Sequence, residues 1–140
     1  MIAAVVDANV FVSAALSPAG TPAHILNAWR EGRFVLVLSF AILAEIYRVL
    51  HYPKIATRHQ WSEEQMRTFV DLLASQARLT PGALTVTVIE DDPADNRYLE
   101  CAVEGKADFL VSGDQLLCNL GVYQGVKILT PRAFLDVLQA

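Results

Sequence analysis

Residues Ile2 to Val6 form an uncharged run rich in small and β-branched side chains, and the run stops at a carboxylate, Asp7. A continuous apolar run of this kind suits a strand covered on both faces, and such strands belong to parallel sheets flanked by helices. Few folds accommodate it. A carboxylate placed where a buried strand ends points into the crevice at the C-terminal edge of the sheet, where open α/β folds bind ligands. Asn9 follows two residues later.

The rest of the chain repeats the pattern. Phe34–Leu38, Thr85–Ile89, Phe109–Val111 and Val126–Leu129 read as four further strands. Between them the apolar spacing changes to that of helices. A short helix is expected over Val10–Leu16. Another starts at Pro22 behind Thr21 as N-cap and stops at Gly32. A third spans Phe40 to about His51 behind Ser39, with Ile42, Ile46, Val49 and Leu50 inward and Glu45 at the margin of that stripe. The capping-box pattern Ser62-Glu63-Glu64-Gln65 opens a helix that runs to about Ala77. Asp92-Pro93 opens one that runs to Gly105, and Thr130-Pro131 opens the last. Strands alternating with helices predict one α/β domain over residues 1–140: a mostly parallel five-stranded sheet with helices on both faces.

Composition narrows the function classes. An apolar fraction of 54% excludes a disordered chain. No run approaches the about 20 uninterrupted apolar residues that span a bilayer. No Lys or Arg precedes the first apolar run, so no secretory signal and a cytoplasmic location are expected. Cys101 and Cys118 form no C-x-x-C pair and cannot complete a zinc site with three scattered histidines, which leaves buried free thiols. Net charge is -4, from eleven basic and fifteen acidic residues. The distribution says more than the total. No acid lies between Ile46 and Ser62, where Arg48, His51, Lys54, Arg58 and His59 fall, whereas Glu90, Asp91, Asp92 and Asp95 crowd together elsewhere. An acidic pocket beside a basic flank suits a metal-dependent enzyme acting on a phosphate polymer.

In a parallel sheet every strand ends on the same edge. Asp7, Asp95 and Asp114 follow strands one, three and four, and Glu45 follows strand two by about two helical turns. Carboxylates gathered there repel one another unless a cation sits among them. Mg²⁺ and Mn²⁺ favour such all-oxygen sites. Each acid also has a plainer role open to it. Asp7 can cap the first turn after strand one, Glu45 can pair with Arg48, and Asp114 can be a turn residue after Gly113. Asp92 is read as an N-cap, which leaves the Asp95 carboxylate free in the first turn, where the helix dipole also favours an acid. Asn9 is either a turn residue or a hydrogen-bond support for Asp7.

Taken in order, Val5-Val6-Asp7-Ala8-Asn9-Val10, Leu43-Ala44-Glu45-Ile46, Asp92-Pro93-Ala94-Asp95-Asn96, Phe109-Leu110-Val111-Ser112-Gly113-Asp114-Gln115-Leu116-Leu117 and Thr130-Pro131-Arg132-Ala133-Phe134-Leu135 resemble the PIN domain family. This is the metal-dependent ribonuclease family that includes the VapC toxins of toxin–antitoxin operons. The likeness covers essentially the whole chain and is greatest to the bacterial toxin-component subgroup. It implies Asp7, Glu45, Asp95 and Asp114 as the metal-site acids, with Ser112 and Asn9 in support. It implies Mg²⁺ or Mn²⁺ as cofactor and cleavage of single-stranded or structured RNA, with in-line attack by water leaving a 5′-phosphate and a 3′-hydroxyl. A small antitoxin protein and a homo-oligomer are the implied partners. Ala8 stands where many relatives carry Thr, which removes a hydroxyl but no acid.

Because the protein is acidic, the RNA strand also needs cations beyond the pocket. Arg48, Lys54 and Arg58 are the candidates, with Tyr52 and Trp61 beside them; a solvated loop that merely balances charge, or a surface covered by an antitoxin, is the alternative. Three other readings compete with the nuclease. A receiver-like phosphotransfer domain requires an acidic pair after strand one and a Lys just after strand five; only Asp7 follows strand one, and Lys127 precedes most of its strand. A phosphatase of the haloacid-dehalogenase type requires a second Asp where this chain has Asn9. A PIN-fold module that binds RNA or a partner without activity is the third.

Overall fold

A computed structural model describes all residues, 1–140. It begins with β1 (Ala3–Val6), all four residues of which are buried. Successive strand side chains face opposite ways, so burial of every one means that both faces of β1 are covered. Asp7 ends the strand and caps α1 (Ala8–Leu16). Then come α2 (Thr21–Arg30), β2 (Val35–Ser39), α3 (Phe40–Leu50), α4 (Pro53–His59), α5 (Glu63–Gln76) and β3 (Arg78–Thr80). A 3₁₀ turn (Pro93–Asp95) leads into α6 (Asn96–Glu104), followed by β4 (Phe109–Val111), α7 (Gln115–Leu120), β5 (Val122–Tyr123), β6 (Val126–Leu129) and α8 (Pro131–Gln139).

The sheet has six strands in the order β3-β2-β1-β4-β6-β5, parallel except for β5. The chain therefore builds outward from β1 through β2 to β3, then returns to the other side of β1 with β4. The switch in direction lies between β1 and β4, and the crevice at the C-terminal ends of those two strands is where this architecture binds ligands. Gly105 lets α6 approach the sheet: a Cβ there would stand 2.4 Å from Val37 Cγ1.

The α/β class, the parallel order and most element positions agree with expectation, including the Ser39 cap, the Ser62–Gln65 capping box and the Thr130 cap. The strand count does not. Val122–Tyr123 adds a short antiparallel edge strand. The third strand is Arg78–Thr80, not Thr85–Ile89. Residues 82–89 form no strand, and six of their amides bond to side chains of α6 instead. Glu104 accepts from Gly82, Ala83 and Leu84, Glu100 from Val86, and Asn96 Oδ1 from Val88 and Ile89. Asn96, Glu100 and Glu104 lie one turn apart along one face of the helix. This row satisfies the amides that a neighbouring strand would otherwise pair, which is why a β-branched alternating stretch sits outside the sheet.

Three smaller differences bear on the site. Helix α1 starts at Ala8, directly behind Asp7, not at Val10. Gly20, not Thr21, is the N-cap of α2. The basic stretch after His51 is helical, because Pro53 stops α3 and starts α4. Both cysteines are free, but only Cys101 is buried; Cys118 is half-buried.

Candidate active site

Asp7 sits one residue past β1, with its backbone N–H bonded to the carbonyl of Val111 on β4. Its side chain is 3% exposed and uses both oxygens. Oδ1 accepts the amide of Asn9 at 2.9 Å, and Oδ2 accepts the hydroxyl of Ser112 at 2.6 Å. The capping role and the strand-end position thus coexist in one residue. Asn9 contributes to this through its backbone N–H. Its side chain is exposed, and the bond is one that any residue with a backbone N–H could make.

Ser112 follows β4 as Asp7 follows β1. Its fully buried Oγ donates to Asp7 and accepts the amide of Asp114 at 3.0 Å. Asp114 in turn caps α7, with Oδ1 accepting from Leu116 and Leu117. A chain of hydrogen bonds therefore fixes Asp7, Ser112 and Asp114 relative to one another across the β1–β4 crevice.

Asp95 enters from the 3₁₀ turn. It occupies the N-cap of α6 but makes no cap bond, and its Oδ2 is buried without any hydrogen-bond partner. A buried carboxylate oxygen left unpaired is costly and rare in a folded protein. One ligand oxygen each from Asp92, Asp95 and Asp114 lie within 4.8 Å of one another. Burial first, then the charges of Asp114, Asp92 and Asp7, push the Asp95 carboxyl up to about 7. Asp92 makes no cap bond either, contrary to expectation, and is exposed beside Asp95. The Pro-Ala-Asp turn is 3₁₀, and Asp92, at φ -139° and ψ 87°, lies outside the extended conformation usual for a capping residue.

Glu45 stands apart from that trio. It is half-buried on α3, and its Oε2 accepts the hydroxyl of Tyr98 at 2.7 Å. Tyr98 is 2% exposed, and its oxygen also accepts the amide of Ala8 at 3.3 Å. Burial, the charge of Asp7 and the bond to Glu45 hold this phenol above its ordinary range, so it remains a donor. In the sequence Tyr98 falls with Leu99 and Ala102 on the apolar side of its helix, and nothing local marks its hydroxyl. The available signal was general: a buried Tyr hydroxyl needs a partner.

The basic flank divides in two. His59 donates Nε2–H to the Leu50 carbonyl and accepts the Trp61 amide at Nδ1, so both ring nitrogens are engaged by the backbone. His51 contacts Glu63 at 2.5 Å. Arg48, Lys54 and Arg58 are exposed and form no ion pair. Arg48 closes no salt bridge with Glu45; its guanidinium pKa is raised chiefly by the Tyr52 hydroxyl beside it, with Glu45 and Tyr98 adding less. Trp61 is half-buried against His59 and Phe69.

The residues fit a divalent cation. They are all oxygen donors, three carboxylates converge, and one buried oxygen lacks any protein partner. Nothing softer than oxygen converges with them. The largest concavity, about 670 Å³ between α1, α2 and α5, lies elsewhere, lined by Ala14, Leu26, Trp61, Phe69 and Leu72.

Known proteins supply the remaining comparison. The chain is 29% identical to an uncharacterized protein of Methanocaldococcus jannaschii over 143 aligned residues, which cover 96% of this chain and 90% of the relative. The sequence profile described as "PIN domain" matches residues 3–116, from the first strand through Asp7, Glu45, Asp95 and Asp114. With that extent of match, and an acidic crevice at the β1–β4 switch, the chain belongs to the PIN domain family.

Proposed function

We propose that this protein is a Mg²⁺- or Mn²⁺-dependent endoribonuclease and the toxin of a toxin–antitoxin pair. PIN domains are generally nucleases, and PIN nucleases typically use divalent metals. The observation that carries the reading here is Asp95: a buried carboxylate with an unpaired oxygen, next to Asp92 and Asp114 at the strand-order switch. A site that assembles like charges and leaves one unsatisfied is built to receive a positive one.

Asp7, Asp95 and Asp114 hold the cation, with Glu45 completing the set or orienting the attacking water, and Asp92 at the rim. When bound, the ion supplies Lewis-acid stabilisation of charge on the scissile phosphate and makes water nucleophilic near neutral pH. Ser112 fixes Asp7 and Asp114 at their working separation. Asn9 holds Asp7 through its amide. Arg48, Lys54 and Arg58 track the backbone of single-stranded or structured RNA beyond the pocket, where unpaired cations are needed. The apolar groove between α1, α2 and α5 offers a surface for a small antitoxin. The working form is a homo-oligomer in the cytoplasm. No helix is long and apolar enough to cross a membrane.

The test is cleavage of single-stranded RNA by purified protein with Mn²⁺ or Mg²⁺. Cleavage is expected to stop with chelator and return with added metal. Activity indifferent to chelation, or no activity with either ion, contradicts the proposal. A short reading frame next to this one, whose product suppresses the cleavage, is the expected mark of the toxin role.

A further inference from the structure

The hydroxyl of Tyr98 joins two elements that otherwise meet only through apolar packing. It accepts the amide of Ala8, the first residue of α1, and donates to Glu45 on α3. The Ala8 N–H has no partner within its own helix, as is usual in a first helical turn. A hydroxyl that accepts from an amide has one proton left to give, and the only acceptor recorded for it is Glu45 Oε2. The direction of the chain is thus fixed: Ala8 N–H to Tyr98 oxygen, Tyr98 O–H to Glu45 carboxylate.

Glu45 needs such a restraint. It projects from the second turn of α3 on a flexible stem, is half-buried, and makes no ion pair. The phenol ring is itself immobile, since Tyr98 is among the largest fully enclosed side chains in the core. It lies one turn after Asp95 on the same helix, and the amide it accepts follows Asp7 directly. One rigid hydroxyl therefore references Glu45 to the segments that carry Asp7 and Asp95.

We propose that Tyr98 is a positioning residue that holds the Glu45 carboxylate in register with Asp7 and Asp95 for RNA cleavage. The proposal rests on the nuclease reading given above. It assigns Tyr98 no contact with RNA or metal; its whole effect passes through Glu45.

Tyr98→Phe keeps the ring and removes the hydroxyl. With Mn²⁺ and a short single-stranded RNA, kcat is expected to fall about 10- to 100-fold while KM changes less than about twofold, as for misplacement of one reacting group. Mn²⁺ affinity, measured by calorimetry without RNA, is expected to weaken about tenfold, the lower end of the range for lost support of a metal-site residue. Glu45→Asp leaves Tyr98 in place but withdraws the carboxylate by one methylene, and the same pattern is expected. In the double variant the losses should not multiply, because both remove one interaction.

Wild-type kcat and Mn²⁺ affinity in folded Tyr98→Phe overturn the proposal, as do losses that multiply. If Tyr98→Phe fails to fold, Glu45→Asp decides: undiminished kcat and Mn²⁺ affinity overturn it. If the wild-type protein binds Mn²⁺ but cleaves no RNA, the nuclease reading fails, and the Mn²⁺ affinities of the variants still judge the tyrosine. If it neither binds Mn²⁺ nor cleaves, both proposals fall.

Discussion

Replacing Asp95 with Asn separates the charge of the site from its shape. Asp95 is 6% exposed, and burial with the neighbouring charges of Asp114 and Asp92 moves its carboxyl from 3.8 up to about 7. In the unfolded chain the group ionises near pH 4, whereas the metal-free folded protein keeps its proton to about pH 7. Between these values the folded state binds more protons, so stability falls as pH rises through the window and the loss is complete above it. A displacement of about three pH units corresponds to about 4 kcal/mol at most. Water reaching the rim of the site at exposed Asp92 screens part of the repulsion, and about 2 kcal/mol is the working value. Asn carries no charge at any pH. Metal-free Asp95→Asn should therefore gain about 2 kcal/mol relative to wild type on going from pH 4 to pH 8, or roughly 6 °C in Tm for a chain of this size. Thermal melts in EDTA at both pH values read this directly. Adding Mn²⁺ at about a hundred times its Kd should then stabilise the wild type by about 2.7 kcal/mol, and the variant much less, reversing their order at pH 8. A stability difference that is the same at pH 4 and pH 8, or equal stabilisation of both proteins by Mn²⁺, refutes the electrostatic account of the site.

Three further outcomes follow from other parts of the molecule. Asp7→Asn keeps the oxygen that caps Asn9 and sets an NH2 opposite Ser112, whose hydroxyl can turn to accept from it, so cleavage should be lost with stability changed by less than about 1 kcal/mol, whereas Asp7→Ala removes the cap and leaves the Ser112 hydroxyl without a partner at that position, at a cost of about 2 kcal/mol; urea unfolding of both variants distinguishes them. Asn96→Ala leaves the amides of Val88 and Ile89 and the carbonyl of Ile89 without partners, which should cost about 2–4 kcal/mol and expose residues 82–89 to rapid amide hydrogen exchange. The double change Arg48→Ala, Arg58→Ala should weaken RNA binding and lower the slope of log affinity against log salt by about 1.4 if each arginine neutralises one phosphate, leaving Mn²⁺ affinity unchanged; an unchanged slope in binding titrations places the RNA on another face.

What the sequence determined by itself was the frame. The uncharged run that ends at Asp7 required a strand buried on both faces, and β1 is one, because only such a strand can keep Ala3 to Val6 out of water together. The alternation of strands and helices required parallel order, and with it a common edge for Asp7, Asp114 and the α6 entry. Caps at Ser39, Ser62 and Thr130 were legible because they depend on residues three positions apart. Tertiary structure decided the rest, wherever one residue's partner lies far along the chain. Thr85–Ile89 has the composition of a strand, yet its amides bond to Asn96 and Glu100, a choice that no local pattern records. Asp92 looks like an N-cap in sequence, but the 3₁₀ turn leaves it beside Asp95 and Asp114 instead. Ser112 meets Asp7 across 105 residues, and Tyr98 meets Glu45 across 53. Local periodicity fixes which face a side chain turns toward; it carries no information about which distant donor waits there, because that depends on how the completed sheet brings β1 and β4 together.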